Sequence, residues 1–389
     1  MTKEFIDFVN AHKDEDTARL LLSAARYPSI DMPAAVQQIE GMRTAREKWP
    51  SLLECEDFMY PPRLNREQAS SEAAASYKAS VISPLTSHFS PFTVADLTGG
   101  MGIDTLTFAR LAEHVDYVER DPQLCDFMRH NLAALSVTNV TVHCADSLQW
   151  LQSHLSPFFF HLIYLDPARR DARGRKVAGF DDCTPNILDH LPMLRAASRT
   201  LLVKASPMID IDLACRQLGG VSDVHVVELK GECKEVLFLV GGDAAELLIH
   251  VGGFTFSRSE EAAAPVVLAD GVGPYLYEPC PALMKAGPYR LIVQRYGVAM
   301  LDASTHLYTA DRLVDGFPGR TFRVLCEVKA TRKAVAEAVP EGRAHVVTRN
   351  YPVAAADLQR RLGLIEGGDR FIVAATAAGR PRCWLCCEL

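Results

Sequence analysis

Long apolar runs are missing from this chain: none approaches the roughly 20 residues that a membrane-crossing helix requires. The opening stretch, MTKEFIDFVNAHKDEDT, is too charged for a secretory signal, so a cytoplasmic protein is expected. Paired metal-ligand spacings are scarce too. The eleven cysteines are odd in number and scattered, as buried reduced thiols would be, not as a disulfide frame. The one dense cluster, Cys383, Cys386 and Cys387, holds a CxxC with no second CxxC or HxxxH to complete four ligands. It reads as an apolar closing strand, and no metal is expected. Internal repeats and low-complexity tracts are absent as well.

A strong positive charge is also lacking: the chain carries −7 overall. The average hides an asymmetry. From residue 276 onward there are 16 Lys and Arg against 11 Asp and Glu, whereas the remainder has 25 against 37. An acidic body with a basic C-terminal part suits an anionic macromolecular partner, and is equally compatible with an ordinary solvated surface. At 389 residues, 48% of them hydrophobic, the chain has enough material for two or three domains with real cores.

Up to about residue 70, apolar residues at helical spacing (Leu20, Leu21, Ala24; Ile39, Met42, Ala45) predict short helices broken by Pro33, Pro50 and Pro61-Pro62. A further helix is expected over 67–85. From about 93 the texture alternates. Strands are predicted at 93–97, 115–119, 140–144, 161–166, 200–206, 224–229 and 235–241, with helical segments between most of them. Near-continuous apolar strands of this kind form a parallel sheet covered on both faces. The link between the last two is too short for a helical crossover, so the final strand is expected to run antiparallel. Beyond about 275 the pattern suggests small α+β units, with a helix near 350–364 and a closing hairpin at 370–389.

The stretch DLTGGMGID (96–104) leaves the first strand through glycines and turns at once into a helix. The dinucleotide pattern G-x-G-x-x-G fails there, because the third position, counted from Gly100 and Gly102, is Thr105. The Walker pattern fails for want of Gly-Lys-Ser/Thr. What remains is Asp96-x-Thr98-Gly99-Gly100-x-Gly102-x-Asp104, where glycines let the backbone approach a ligand at the carboxyl end of a strand. Glu119, followed by Arg120, ends the second strand and is placed to accept two ribose hydroxyls. Asp146 and Ser147 follow the third strand, where an acid can take an adenine amino group. Asp166-Pro167 ends the fourth, where a transferable group would be presented. Each position alone also reads as a strand-end turn residue. In this order, the four point to S-adenosylmethionine (SAM) as the ligand.

These motifs resemble those of the methyltransferases that modify guanine N2 in small-subunit ribosomal RNA. The whole chain is similar to a bacterial family of class I SAM-dependent methyltransferases with THUMP-like C-terminal parts, sharing an SSEAAASYK segment (70–78). The resemblance implies a Rossmann-like α/β sheet of seven strands. It implies a helical region at 1–70, a methyltransferase domain at 71–258, a ferredoxin-like domain at 275–326 and a THUMP-like domain at 327–389. It also implies an RNA substrate, tRNA or rRNA, since THUMP domains occur in tRNA-modifying enzymes. Methyltransferases acting on exocyclic amines carry an aromatic residue after the Asp-Pro pair. Here Ala168 and Arg169 follow instead, leaving Arg169 to stack on a base through its guanidinium.

Asp166, Pro167 and Arg169 are accordingly the expected catalytic residues. Asp166 would bond the acceptor's N–H and Pro167 would shape the turn; a purely structural cap is the other reading. Arg169, Arg170, Arg173, Arg175 and Lys176, in RRDARGRK, form either a phosphate clamp or an exposed loop. Lys204 and Ser206 either border the pocket or are structural. Glu72, Tyr77 and Lys78 either close over the cofactor as a lid or belong to a helix packed on the sheet. Cys233 offers a covalent route. The functional alternatives are methylation of protein or a small molecule, and a non-catalytic SAM- or RNA-binding module.

Overall fold

The computed structural model describes every residue except 88, 155–159, 168–178, 181, 182, 184 and 242–245. The chain divides into two compact units, Met1–Leu229 with Glu235–Ala245, and Lys230–Lys234 with Glu246–Leu389. Among the described residues no helix is long and apolar enough to cross a membrane.

Unit 1 is built on β1 (Thr93–Asp96), β2 (His114–Glu119), β3 (Val140–Cys144), β4 (Phe160–Leu165), β5 (Ser198–Ala205), β6 (Val221–Leu229) and β7 (Glu232–Val240). Their order is β3-β2-β1-β4-β5-β7-β6. The β1–β2, β1–β4, β2–β3 and β4–β5 pairs are parallel, and β7 runs antiparallel to β5. These seven strands have the Rossmann-like order that the alternating texture anticipates, including its reversed strand. The parallel registers bring the carboxyl ends of β1, β2, β4 and β5 to one rim. The chain order reverses there at β1, where open α/β sheets receive ligands.

Both faces of the sheet are covered. On one, Phe108, Val115, Leu162, Tyr164, Leu202 and Leu237 pack with Val81 and Ile82 of the helix Glu72–Thr86. On the same face another core joins Trp49, Phe58 and Tyr60, from the N-terminal helical stretch, to Met101, Ile103, Tyr117 and Met128 around the glycine loop, while Val118, Ile163, Leu165 and Val203 are buried on the other. The stretch 45–60 therefore buttresses the glycine-loop end of the sheet. The helix expected over 67–85 is two pieces, Arg63–Gln68 and Glu72–Thr86. The break comes where the Ser71 side chain turns back to cap the second helix at the Ala74 N–H.

Unit 2 contains the hairpin of β8 (Leu248–Val251) and β9 (Phe254–Ser257), then β10 (Tyr275–Pro279), β11 (Ala299–Asp302), β12 (Thr305–Ala310), β13 (Gly319–Glu327), β14 (His345–Arg349), β15 (Arg370–Ala377) and β16 (Arg380–Glu388). The last seven form one sheet in the order β11-β12-β10-β13-β16-β15-β14. β13 runs across the 326/327 position. Side-chain alternation along β16 sends Cys383 and Leu385 into one core and Trp384 and Cys386 into the other. The CxxC thiols thus point to opposite faces, as an apolar strand requires and a metal half-site does not.

Candidate active site at the strand rim

The glycine loop is braced from beneath. Asp96, 1% exposed, accepts the Thr98 N–H on Oδ1 at 3.0 Å and the Thr105 hydroxyl on Oδ2 at 2.6 Å. The Tyr117 hydroxyl donates to the Gly100 carbonyl at 2.7 Å. A Cβ on Gly99 would overlap the Tyr117 ring, and one on Gly102, whose φ is +82°, would overlap the Met128 thioether. The glycines are therefore dictated by the packing underneath. Above Gly100 the space is open, since a Cβ built there would meet just the Thr98 carbonyl oxygen, at 3.7 Å.

Glu119 is oriented by the same loop. Its Oε2 accepts the Gly100 N–H at 3.0 Å and its Oε1 accepts the Asp121 N–H at 2.9 Å. The carboxylate is fixed beside the glycines with lone pairs still available. Arg120 is exposed. One residue past β3, the Ala145 N–H is tied to the Glu119 carbonyl. Asp146 follows as the N-cap of the helix Ser147–Ser153, where Oδ1 accepts the N–H groups of both Leu148 and Gln149. At the end of β4, the Asp166 N–H donates to Thr98 Oγ1 at 2.7 Å, which ties the candidate catalytic corner to the glycine loop. Pro167, directly after it, is buried. Arg169, Arg170, Arg173, Arg175 and Lys176 lie outside the described residues.

Asp96 and Asp104, grouped with the cofactor contacts, turn inward instead. Asp104 takes Ser70 and Tyr164 hydroxyls on Oδ2, at 2.8 and 2.9 Å, and Lys78 on Oδ1 at 3.1 Å, leaving little acceptor capacity for a ligand. Of the two readings of Glu72, Tyr77 and Lys78, lid or packed helix, the contacts favour the packed helix. Glu72 accepts the Ser51 N–H, Tyr77 meets His225 at 3.2 Å, and Lys78 is fully buried. That helix is packed on the sheet.

Lys78 leads to an unforeseen feature. Its Nζ lies 3.1 Å from Asp104 Oδ1 and 3.0 Å from Glu235 Oε1. Lys204 Nζ in turn lies 3.8 Å from Glu235 Oε2 and 2.5 Å from Asp166 Oδ2. A file of alternating charges, Asp104–Lys78–Glu235–Lys204–Asp166, therefore runs under the rim. The side chains of Lys78, Glu235 and Lys204 are 0%, 4% and 5% exposed; that of Asp166 is 27% exposed. Burial opposes ionisation of Asp104, but Lys78 and Lys204 outweigh it and hold the carboxyl below its ordinary range. Burial also opposes the charge on Lys204, yet Asp166, Glu235 and Asp104 prevail and raise its pKa. Glu235 is pushed up, chiefly by burial, against the pull of both lysines. For Asp96 burial dominates, with no lysine beside it, and the carboxyl is raised to about 7.

The signal for this file was present in the sequence as a lysine inside the apolar run TLLVKAS and a glutamate heading EVLFLVG. The antiparallel register that pairs Ala205 with Val236 brings the two together.

Comparison with known proteins fits this arrangement. Residues 275–318 match a ferredoxin-like domain model and residues 319–388 a THUMP domain-like model. Two Mycobacterium tuberculosis proteins, from different strains and each described as an uncharacterised SAM-dependent methyltransferase, are 27% identical over 294 residues. The match spans 74% of this chain and 77% of theirs. A crystal structure from Porphyromonas gingivalis, described as a candidate methyltransferase, superposes with a TM-score of 0.84 at 28% identity. It covers 99% of this chain and 97% of that one.

Proposed function

We propose that this chain, a SAM-dependent methyltransferase, delivers its methyl group to RNA. The rim fits the cofactor: open space over Gly100 admits a ligand against the backbone, and Glu119 is held ready by two N–H groups. In this reading Gly99, Gly100 and Gly102 cradle the cofactor, Glu119 takes ribose hydroxyls, and Asp146 with Ser147 receives the adenine. The bound cofactor supplies an electrophilic methyl carbon on a sulfonium. Displacement at that carbon is governed by positioning, so the protein's task is to hold the acceptor in line and remove its proton.

Asp166 is the residue that carries the assignment. It is the member of the charge file open to a substrate, and its backbone is pinned to Thr98 of the glycine loop. A carboxylate there can accept the proton that the acceptor must lose. Support for RNA comes from elsewhere in the chain. The last 71 residues contain the THUMP domain-like match, and the part from residue 276 onward holds 16 Lys and Arg against 11 Asp and Glu. Cationic side chains bind the RNA backbone whatever its sequence, while the reacting group is chosen at the site.

The test is incubation with methyl-labelled SAM and cellular RNA, protein and metabolite fractions kept apart. Label is expected in the RNA. Label confined to protein or metabolites refutes the substrate assignment.

A further inference from the structure

We propose that the atom methylated is a hydroxyl oxygen, the 2′-OH of an RNA ribose, and that Lys204 and Glu235 position Asp166 to take its proton. The proposal rests on the RNA reading above and specifies the nucleophile at the same site.

The charge file carries the argument. An exocyclic amine attacks as a neutral nitrogen and becomes cationic as the new bond forms. An ammonium directly beside the accepting carboxylate opposes that development, because like charges a few ångströms apart in a poorly solvated site repel strongly. A hydroxyl behaves oppositely. It is a weak nucleophile until its proton begins to leave, and its oxygen then gains negative charge, which a preorganised ammonium stabilises. Lys204 is that ammonium. It sits 2.5 Å from Asp166 Oδ2, and that bond uses one of its three N–H donors. Flanked by the carboxylates of Asp166 and Glu235, it is held as the charged ammonium, and the role of base falls to Asp166.

Glu235 has a place in the same scheme. Once Asp166 is protonated, Lys204 would lack that counter-ion, and a buried cation without a partner is strongly unfavourable. Glu235 Oε2, 3.8 Å away, remains as its counter-ion, and Lys78 in turn bridges Glu235 to Asp104. Protonation of Asp166 therefore strands no charge. A lone aspartate would suffice to orient an amine, whereas a buried two-lysine file beneath it suits a proton abstraction. The sequence after Asp166 is compatible with this: Pro167, Ala168 and Arg169 include no aromatic ring, so only the Arg169 guanidinium is left to stack on a target base. A ribose hydroxyl is positioned through the backbone and needs none, and the 2′-OH is the hydroxyl that distinguishes RNA.

The bonds balance as follows. The ribose O–H breaks and its proton passes to the Asp166 oxygen that Lys204 does not occupy. The O–C bond to the methyl forms while the C–S bond breaks, its electron pair going to sulfur, so the sulfonium becomes a neutral thioether. Asp166 then releases the proton to water.

Two measurements test this. First, RNA labelled by the enzyme with methyl-labelled SAM is hydrolysed in alkali. A 2′-O-methyl blocks cleavage at its own phosphate, so label is expected in dinucleotides; label in mononucleotides is base methylation and overturns the proposal while leaving the RNA reading intact. Label that avoids RNA altogether overturns both. Second, the single-turnover rate of Asp166→Asn is followed from pH 6 to pH 9. With the base gone, a hydroxyl acceptor should gain about tenfold per pH unit, whereas a neutral amine should give a flat profile and refute the proposal. Lys204→Met should slow transfer on the order of 10²-fold with SAM affinity within threefold, and Lys204→Arg should restore part of the rate. Equal rates in Lys204→Met and the parent overturn the role of Lys204.

Discussion

Asp96 provides a stability test of the glycine loop that needs no substrate. Its carboxyl is buried among Thr98, Thr105 and the loop backbone, and burial raises it from 3.8 to about 7. A group raised on folding binds its proton more tightly in the folded chain. Its stabilising contribution is therefore complete below the unfolded value and is lost as pH climbs through the folded one. Between pH 4 and 7 the loss should run near 1.4 kcal/mol per pH unit and total about 4 kcal/mol, an order-of-magnitude figure. Asp96→Asn keeps the shape and can keep both bonds, with its carbonyl accepting from Thr98 N–H and its amide donating to Thr105 Oγ1. It carries no charge to bury. Urea unfolding followed through Trp49 and Trp150 of unit 1 should show the variant gaining on the parent as pH rises from 5 to 7. The gain should level off above 7. Comparing the two proteins cancels whatever unit 2 contributes. A difference in stability that stays constant across this range would refute the reasoning, because it would mean that Asp96 ionises as freely in the fold as in water.

Other consequences follow from the same contacts. Gly99→Ala drives a methyl into the Tyr117 ring, so the loop must shift; an overpacking cost of about 1–3 kcal/mol and at least a tenfold loss of SAM affinity are expected by calorimetry. Lys78→Met removes the ion-pair partner of buried Asp104 and leaves Glu235 only the longer contact to Lys204, and should destabilise unit 1 by about 3–5 kcal/mol in the same urea assay. A loss under 1 kcal/mol would show that the file is solvated. Asp166→Ala should leave SAM binding within a few-fold while turnover on the labelled substrate falls about 10²- to 10⁴-fold, and retention of turnover within a few-fold would remove Asp166 from the mechanism.

The architecture of unit 1 was legible because its strands are buried on both faces and announce themselves as uninterrupted β-branched runs. The short link after Leu229 likewise predicted the antiparallel β7 found in the sheet. The glycine loop was legible for a related reason, since glycine is required at 99 and 102 by Tyr117 and Met128 and leaves a sequence trace. The direction of a carboxylate is different. Asp96, Asp104, Glu119 and Asp166 all sit at strand or loop corners, and one letter does not say whether the side chain faces a ligand or the protein. The partners that decide it are distant in sequence: Lys78 is 26 residues from Asp104, and Lys204 is 38 from Asp166. Those pairings exist only once β4, β5 and β7 are side by side and the helix Glu72–Thr86 lies across them. A lysine or glutamate within an otherwise apolar element must find a counter-charge, because an unpaired buried ion costs too much to keep. Lys78, Lys204 and Glu235 each stand in such a setting, so the three could have been matched to one another as soon as the strand order was assumed. Paired in that way they form more than a structural clamp. The file reaches the surface at Asp166, the carboxylate proposed to take the acceptor's proton, and this would join the stability of the sheet to the chemistry of its rim.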